Sequence, residues 1–138
     1  MLTIRLPFTP YAVPVNNRDT VNLTANSTRR LAYSPARWRH AQRTEAQGIM
    51  WDMAYALTRE AVEGGPGGTN QWGPGYWLVQ LQGCRPLPIQ ITIYSPEVRR
   101  RDRDNAQAGL KWALDGIASA LDMDDSLFKP EVEFAKGP

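Results

Sequence analysis

Residues 99–125 read RRRDRDNAQAGLKWALDGIASALDMDD, a charged run followed by a regular pattern of apolar residues. The apolar residues recur about every 3.6 positions, which is the period of one face of an α-helix. The spacing therefore predicts a helix over 106–121. Aspartates flank this helix: Asp102 and Asp104 precede it, and Asp124 and Asp125 follow it. Its apolar face consists of Ala106, Leu110, Ala113, Leu114, Ile117, Ala118 and Leu121.

The two leading aspartates are spaced as i and i+2. At the end of an extended strand this spacing points both side chains to one face, where their charges repel unless a cation lies between them. Carboxylate oxygens are the ligands that Mg²⁺ prefers. The adjacent arginines favour a phosphate-containing substrate, because guanidinium groups bind phosphate well; they are Arg99, Arg100, Arg101 and Arg103. The alternative is that Asp102 and its neighbours only cap the helix, as Asp and Asn often do.

Length, composition and charge limit the possible domain organisation, cellular location and partners of the chain. With 138 residues, the chain is expected to form one domain that buries a core without disulfides. A single cysteine and the lack of a secretory leader pattern predict a cytoplasmic protein. No apolar run approaches the length of a membrane span, so no membrane partner is expected. Charge is uneven: residues 1–103 hold 13 Lys+Arg against 7 Asp+Glu, whereas residues 104–138 hold 3 against 7. A basic body with an acidic cluster is typical of a metal-dependent nuclease, although a merely solvated surface also fits.

The sequence lacks the residues that several kinds of functional site require. The chain has one histidine and one cysteine, so clustered His or Cys ligands for zinc are absent. Neither GxxxxGK[ST] nor GxGxxG occurs, so no nucleotide cofactor is expected. Carboxylates, lysine and arginine remain as the groups that could carry chemistry.

Other segments give a coarse order of elements. Ser34-Pro35 is a good helix start, and the helix is predicted to run over about 35–62 before a flexible Gly-rich loop at 64–75. Its predicted apolar stripe contains Trp38, Ala41, Ile49, Met50, Met53, Leu57 and Ala61. Alternation and β-propensity predict strands at Leu2–Leu6, Tyr76–Gln82, Ile89–Tyr94 and Phe128–Phe134. Asn16 and Asn17 suit a turn, and their side chains can bond to backbone or phosphate.

Four short motifs occur in order along the second half of the chain: Asp102-Arg103-Asp104-Asn105, Leu110-Lys111, Asp115-Gly116 and Asp124-Asp125-Ser126. In this order they resemble the signature of the RusA-type Holliday junction resolvases. The segment Pro14-Val15-Asn16-Asn17-Arg18 is similar to the Pro-x-Asn element near the N-terminus of that family.

The resemblance implies an α+β fold, in which a small mixed β-sheet packs against two main helices at about 35–62 and 106–121. It also implies an endodeoxyribonuclease that depends on Mg²⁺, with Mn²⁺ as an alternative, and that resolves four-way DNA junctions by paired symmetric nicks in DNA recombination and repair. The source would be a bacterium or a phage. Two-fold junction symmetry matches a homodimer with one active site per subunit.

Roles for individual residues follow from the same resemblance. Asp102, Asp104 and Asp125 would hold the metal, with Asp124 beside them. Lys111 would reach the scissile phosphate, although an i, i+4 ion pair with Asp115 is the simpler interpretation of this lysine. The DNA-binding residues would be Arg99, Arg100, Arg101, Arg103, Asn16 and Asn17.

Three other functions compete with this one: a metal-dependent nuclease acting on forks or flaps, a non-catalytic DNA-binding protein, and a DxD-type sugar-nucleotide transferase. The last is disfavoured because the chain has no room for a nucleotide-binding domain. The site also raises a geometric problem, since a straight helix over 106–121 would separate its ends by roughly 24 Å. Either the helix bends, or Asp125 reaches the site of a partner subunit, and the unbroken apolar pattern favours the shared site.

Overall fold

A computed structural model describes residues 2–23, 36–63, 76–95 and 102–136. Within the helices and strands, the side chains of residues 36–40, 76, 77, 95 and 102–105 are outside this description. The predicted Gly-rich loop at 64–75 and the arginines at 99–101 also lie outside the described residues.

The described segments form an α+β arrangement, as predicted. Its helices are α1 (Ala36–Val62), α2 (Tyr76–Gln82), α3 (Asp102–Gly109) and α4 (Lys111–Leu121), and its strands are β1 (Val13–Pro14), β2 (Thr20–Val21), β3 (Leu87–Ser95) and β4 (Phe128–Lys136). A 3₁₀ turn, Asp125–Leu127, precedes β4. The predicted single mixed sheet is instead two separate two-stranded sheets in this part of the chain, β1 with β2 and β3 with β4.

Strands β3 and β4 are parallel, with Leu87 aligned to Phe128 and Ser95 aligned to Lys136. Parallel neighbours need a crossover connection, and α3 and α4 supply it. The predicted alternation in β3 is confirmed, because Ile93 is buried whereas Gln90 and Thr92 are exposed. The predicted strand at Phe128–Phe134 is confirmed as well and extends by two residues.

The long helix α1 confirms the prediction of a helix at about 35–62. Its predicted apolar stripe is partly wrong, since Ala41 is exposed and Met53 and Leu57 are only half-buried. The buried positions recur every four residues and include small and polar side chains, which hydrophobicity alone does not select. They are Ala46, Met50, Ala54, Thr58 and Val62.

Small residues on α1 allow α4 to approach closely. A Cβ built on Gly116 of α4 would lie 2.5 Å from the carbonyl oxygen of Trp51 and 3.2 Å from the Cβ of Ala54. Any side chain at position 116 would therefore push the two helices apart. The glycine in the Asp115-Gly116 pair has a packing reason.

The predicted continuous helix at 106–121 is wrong in two respects: the helical segment begins at Asp102, and it is interrupted at Leu110. The interruption coincides with a contact to the N-terminal segment. A Cβ on Gly109 would lie 2.8 Å from the Cβ of Pro10 and 3.3 Å from the carbonyl of Leu23. Glycine lowers helix propensity and here admits the backbone of a distant segment, which local periodicity does not reveal.

Two predicted strands are also wrong. Residues Leu2–Leu6 are in no strand, although half-buried and exposed side chains alternate along them. Residues Tyr76–Gln82 form the helix α2 instead. Leu78 and Leu81, spaced i and i+3, are the positions that pack against the core, so helical packing overrides the β-propensity of the segment.

Candidate metal and nucleic-acid site

The C-terminal end of α4 reverses the direction of the chain. Asp122 has φ 53° and ψ 46°, in the left-handed region, and the N–H of Met123 donates to the carbonyl of Ala118 at 2.9 Å. This is the usual way in which a left-handed residue ends a helix. The Oδ1 of Asp124 then accepts the N–H of Ser126 at 3.0 Å and caps the 3₁₀ turn. Two successive aspartates are thereby folded back beside α4.

The reversal brings Asp125 against Asp115, two turns back on α4. A hydrogen bond with the Asp115 carboxyl group raises the pKa of Asp125, and Asp124 raises it further. Two carboxyl groups form such a bond only when one keeps its proton, so their ionised forms repel. The pKa of Asp124 is lowered instead, chiefly because its carboxylate accepts the N–H of Ser126. Negative charge is therefore less favourable on Asp125 than on Asp124.

Lys111 stands on the same side of α4. It is exposed, and it is four residues before Asp115, a spacing that makes two helical residues neighbours. Among the side chains that the structure describes, no ion pair joins Lys111 to Asp115. Lys111 is also the first residue of α4, and Leu110 before it provides no side-chain cap. Helical hydrogen bonds bridge the junction with α3, from the Leu110 N–H to the carbonyl of Ala106 and from the Leu114 N–H to the carbonyl of Leu110, each at 3.0 Å.

Asp102 and Asp104 lie in a different setting from the one predicted. The backbone is helical from Asp102 onward, so the expectation of an extended strand end is wrong. Successive helical positions are rotated by about 100°, and the i, i+2 spacing no longer assigns two positions to one face. The side chains of Asp102, Arg103, Asp104 and Asn105 are outside the description.

The leading and trailing aspartates are at opposite ends of the parallel sheet. Ala106, one turn after Asp102, packs in a cluster with Ile93. Leu121, shortly before Asp125, packs instead with Leu87 and Phe128. Leu87 and Ile93 are six residues apart on β3, which corresponds to about 20 Å. The ends of α3 and α4 that carry these aspartates therefore pack toward opposite ends of β3.

A divalent metal needs several oxygen ligands about 2.0–2.6 Å from the ion. Asp115 and Asp124 each contact Asp125, yet the described side chains contain no group of three His, Cys, Asp or Glu residues that could hold a metal ion. Asp102 and Asp104 are not among those side chains. The carboxylates around Asp125 have the right chemistry for such an ion.

The predicted turn at Asn16 and Asn17 is confirmed. The N–H of Val15 donates to the carbonyl of Asp19 at 3.1 Å and closes the β1–β2 hairpin. The Oδ1 of Asn16 accepts the N–H groups of Arg18 and Asp19, and its Nδ2 donates to the Asp19 carboxylate at 3.0 Å. The side chain of Asn16 thus serves the turn, and DNA contact by Asn16 and Asn17 stays a prediction.

Sequence reasoning missed Asp115 as a contact of Asp125. The Asp115-Gly116 pair is one of the four motifs, but the spacing of Asp115 from Lys111 indicates only an ion pair between these two residues. The left-handed reversal at Asp122 folds Asp125 back toward Asp115. A glycine at position 122 would have indicated such a reversal in the sequence, whereas an aspartate does not.

Comparison with known proteins does not add a family to this picture. No family model, no curated protein and no solved structure matches the chain. In the described ranges, no helix is both long enough and apolar enough to cross a membrane.

Proposed function

We propose that this chain is a metal-dependent endodeoxyribonuclease that nicks four-way DNA junctions, as its resemblance to the RusA-type resolvases implies. The observation that carries the proposal is the grouping of Lys111, Asp115, Asp124 and Asp125 along one side of α4. All four belong to motifs on which the resemblance rests. Carboxyl groups that repel one another when ionised do not help the stability of the fold, and a bound cation would offset that repulsion.

The carboxylates around Asp125 would hold Mg²⁺ or Mn²⁺, which supplies an activated water and neutralises charge on the phosphate. Lys111 would contribute a positive charge to the scissile phosphate. The arginines at 99, 100, 101 and 103, together with Asn16 and Asn17, would bind the DNA backbone without reading bases.

A second copy of the chain would complete the ligand set. Because α3 and the end of α4 pack toward opposite ends of β3, a metal site that includes Asp102, Asp104 and Asp125 would draw on two subunits. A C₂ dimer forms two such sites at once, because each subunit gives its α3 end to one site and its α4 end to the other. Two symmetric sites match the two symmetric nicks that junction resolution requires.

One observation favours a second function, a non-catalytic DNA-binding protein. Asp102 and Asp104 lie in the first turn of α3, where acidic residues stabilise a helix through its dipole. On this interpretation they need no metal. A nuclease that prefers forks or flaps would instead have the same site and a different substrate.

The deciding experiment is a nicking assay on a four-way junction, a fork and a linear duplex, with and without Mg²⁺. We expect paired nicks in the junction only when Mg²⁺ is present. Asp102→Asn, Asp104→Asn and Asp125→Asn should each abolish nicking and leave junction binding intact, whereas Asp52→Asn, an exposed change on α1, should have no effect. Binding without nicking in either ion would favour the non-catalytic function, and preferred nicking of the fork would favour the fork nuclease.

Mixed dimers test whether the site is shared. Asp102→Asn subunits mixed with Asp125→Asn subunits would contain one intact site if the two aspartates come from different chains. Such a mixture should nick one strand of the junction. If every site is built within one subunit, both sites in the mixed dimer are damaged and the mixture stays inactive.

A further inference from the structure

The last turn of α4 has all of its carbonyl groups satisfied. The last four carbonyls of a helix have no intrahelical donor, and here each accepts a hydrogen bond from elsewhere. Two of the donors are backbone N–H groups, of Met123 to Ala118 at 2.9 Å and of Asp122 to Ser119 at 3.3 Å. The other two are side chains of other helices: Arg59 Nη1 donates to Ala120 at 3.4 Å, and Gln82 Nε2 donates to Leu121 at 2.8 Å.

The two side-chain donors are not equivalent. Arg59 of α1 is 3.4 Å from its carbonyl, beyond the usual range of such bonds, and its guanidinium also pairs with Glu63 at 2.5 Å. Gln82 makes a partly buried bond of ordinary length. Gln82 is also the last residue of α2, a helix that packs on the core through Leu78 and Leu81. The firmer of the two attachments therefore comes from α2.

The attachment lies directly before the chain reversal. Leu121, the acceptor for Gln82, precedes Asp122, whose left-handed conformation returns Asp124 and Asp125 toward Asp115. Tilting the last peptide groups of α4 would move the reversal, and with it the carboxylates that follow. The 3₁₀ turn that carries Asp125 has its own cap from Asp124, so it would move as a unit.

We propose that Gln82 is a positioning residue, which orients the end of α4 so that Asp124 and Asp125 stand against Asp115. Its catalytic consequence rests on the proposed nuclease function, whereas its structural consequence does not. Gln82 does not touch the reacting atoms. It acts on them through the carbonyl of Leu121 and the reversal at Asp122.

The test compares Gln82→Glu with Gln80→Glu. The first keeps the length of the side chain but replaces the Nε2 donor by an oxygen that the Leu121 carbonyl repels. The second makes the same change at an exposed position of the same helix and serves as the control. Gln82→Lys replaces the amide donor by an ammonium donor for the helix C-terminus, so this variant should keep the end of α4 in its original orientation.

Two measurements are made on each folded variant. The amide nitrogen and proton chemical shifts of Met123 and Ser126, whose N–H groups bond to Ala118 and to Asp124 on either side of the reversal, should move in Gln82→Glu and stay unchanged in Gln80→Glu and Gln82→Lys. Junction cleavage by Gln82→Glu should lose on the order of 10²-fold in kcat, the effect of a displacement of about 1 Å, with KM unchanged.

A folded Gln82→Glu variant in which the Met123 and Ser126 amide shifts are those of the unaltered protein would overturn the proposal. If that variant does not fold, Gln82→Lys decides: shifted Met123 and Ser126 amides despite the restored donor overturn the proposal, and unchanged amides support it. If the unaltered protein nicks no substrate but these amide shifts still depend on Gln82, the positioning stands and the nuclease function fails.

Discussion

The close approach of α1 and α4 at Gly116 makes a quantitative prediction about stability. An alanine there would place its Cβ 2.5 Å from the Trp51 carbonyl oxygen and 3.2 Å from the Cβ of Ala54. Neither neighbour is the end of a flexible side chain, so the helices must separate. Overpacking of this kind costs about 1–3 kcal/mol, and a backbone clash belongs in the upper half of that range. Alanine regains about 1 kcal/mol in helix propensity, which leaves a net loss of about 1–2 kcal/mol.

Gly48 of α1 provides a matched control. It is also a helical glycine, it is exposed, and a Cβ there would meet nothing within 4 Å. Gly48→Ala should therefore stabilise the protein by about 0.5–1 kcal/mol, because only the propensity term remains. Urea unfolding of both variants measures the two effects, and the midpoints should move in opposite directions at an unchanged slope. If Gly116→Ala stabilises as much as Gly48→Ala does, the close packing of α1 on α4 at this point is wrong.

Three other predictions concern the ends of the site. Asp122→Asn should stabilise the fold by about 0.3–1 kcal/mol, because it removes an anion from a helix C-terminus and keeps a residue that tolerates the left-handed conformation; calorimetry measures it, and Asp122→Ala should not stabilise. The pKa of Asp125 is raised on folding, so its contribution to stability is present below its ordinary pKa and is lost as the pH rises through the raised value. Asp115→Asn should shrink that loss in a Tm-against-pH series, Asp52→Asn should not, and equal profiles would contradict the contact. Arg100→Ala with Arg101→Ala should weaken binding to all DNA substrates alike and flatten the salt dependence, whereas an unchanged salt slope would remove these arginines from the DNA interface.

The sequence predicted those elements whose pattern is local. The alternation of Ile89, Ile91 and Ile93 identified β3, and the Ser34-Pro35 start placed α1 within one residue. Prediction failed where distant contacts decide. The interruption at Leu110 coincides with Pro10 and Leu23 lying against Gly109, and the buried stripe of α1 includes Thr58, a polar residue that hydrophobicity does not select. Neither observation can be predicted from a short stretch of the sequence.

The candidate site shows the same contrast between residues that a local pattern identifies and contacts that depend on distant parts of the chain. The motif order identified Lys111, Asp124 and Asp125, since each motif is short and contiguous. The sequence does not predict their grouping with Asp115. That grouping depends on the left-handed backbone conformation of Asp122, which residues other than glycine adopt rarely. The C-terminal attachment through Gln82 was hidden as well, since α2 was expected to be a strand. A strand at 76–82 would have placed Gln82 in a sheet rather than at the end of α4.

The sequence predicts a shared site because one straight helix would hold its ends too far apart, and the continuous helix behind this prediction is wrong, since it is interrupted at Leu110. A bend in the helix could have brought Asp102 to Asp125 within one chain. The packing argues against this, because α3 covers the carboxyl end of the parallel sheet through Ala106, and α4 covers its amino end through Leu121. This packing at the two ends of the sheet, rather than the straightness of the helix, is what supports the proposal that a site using both pairs takes them from two copies.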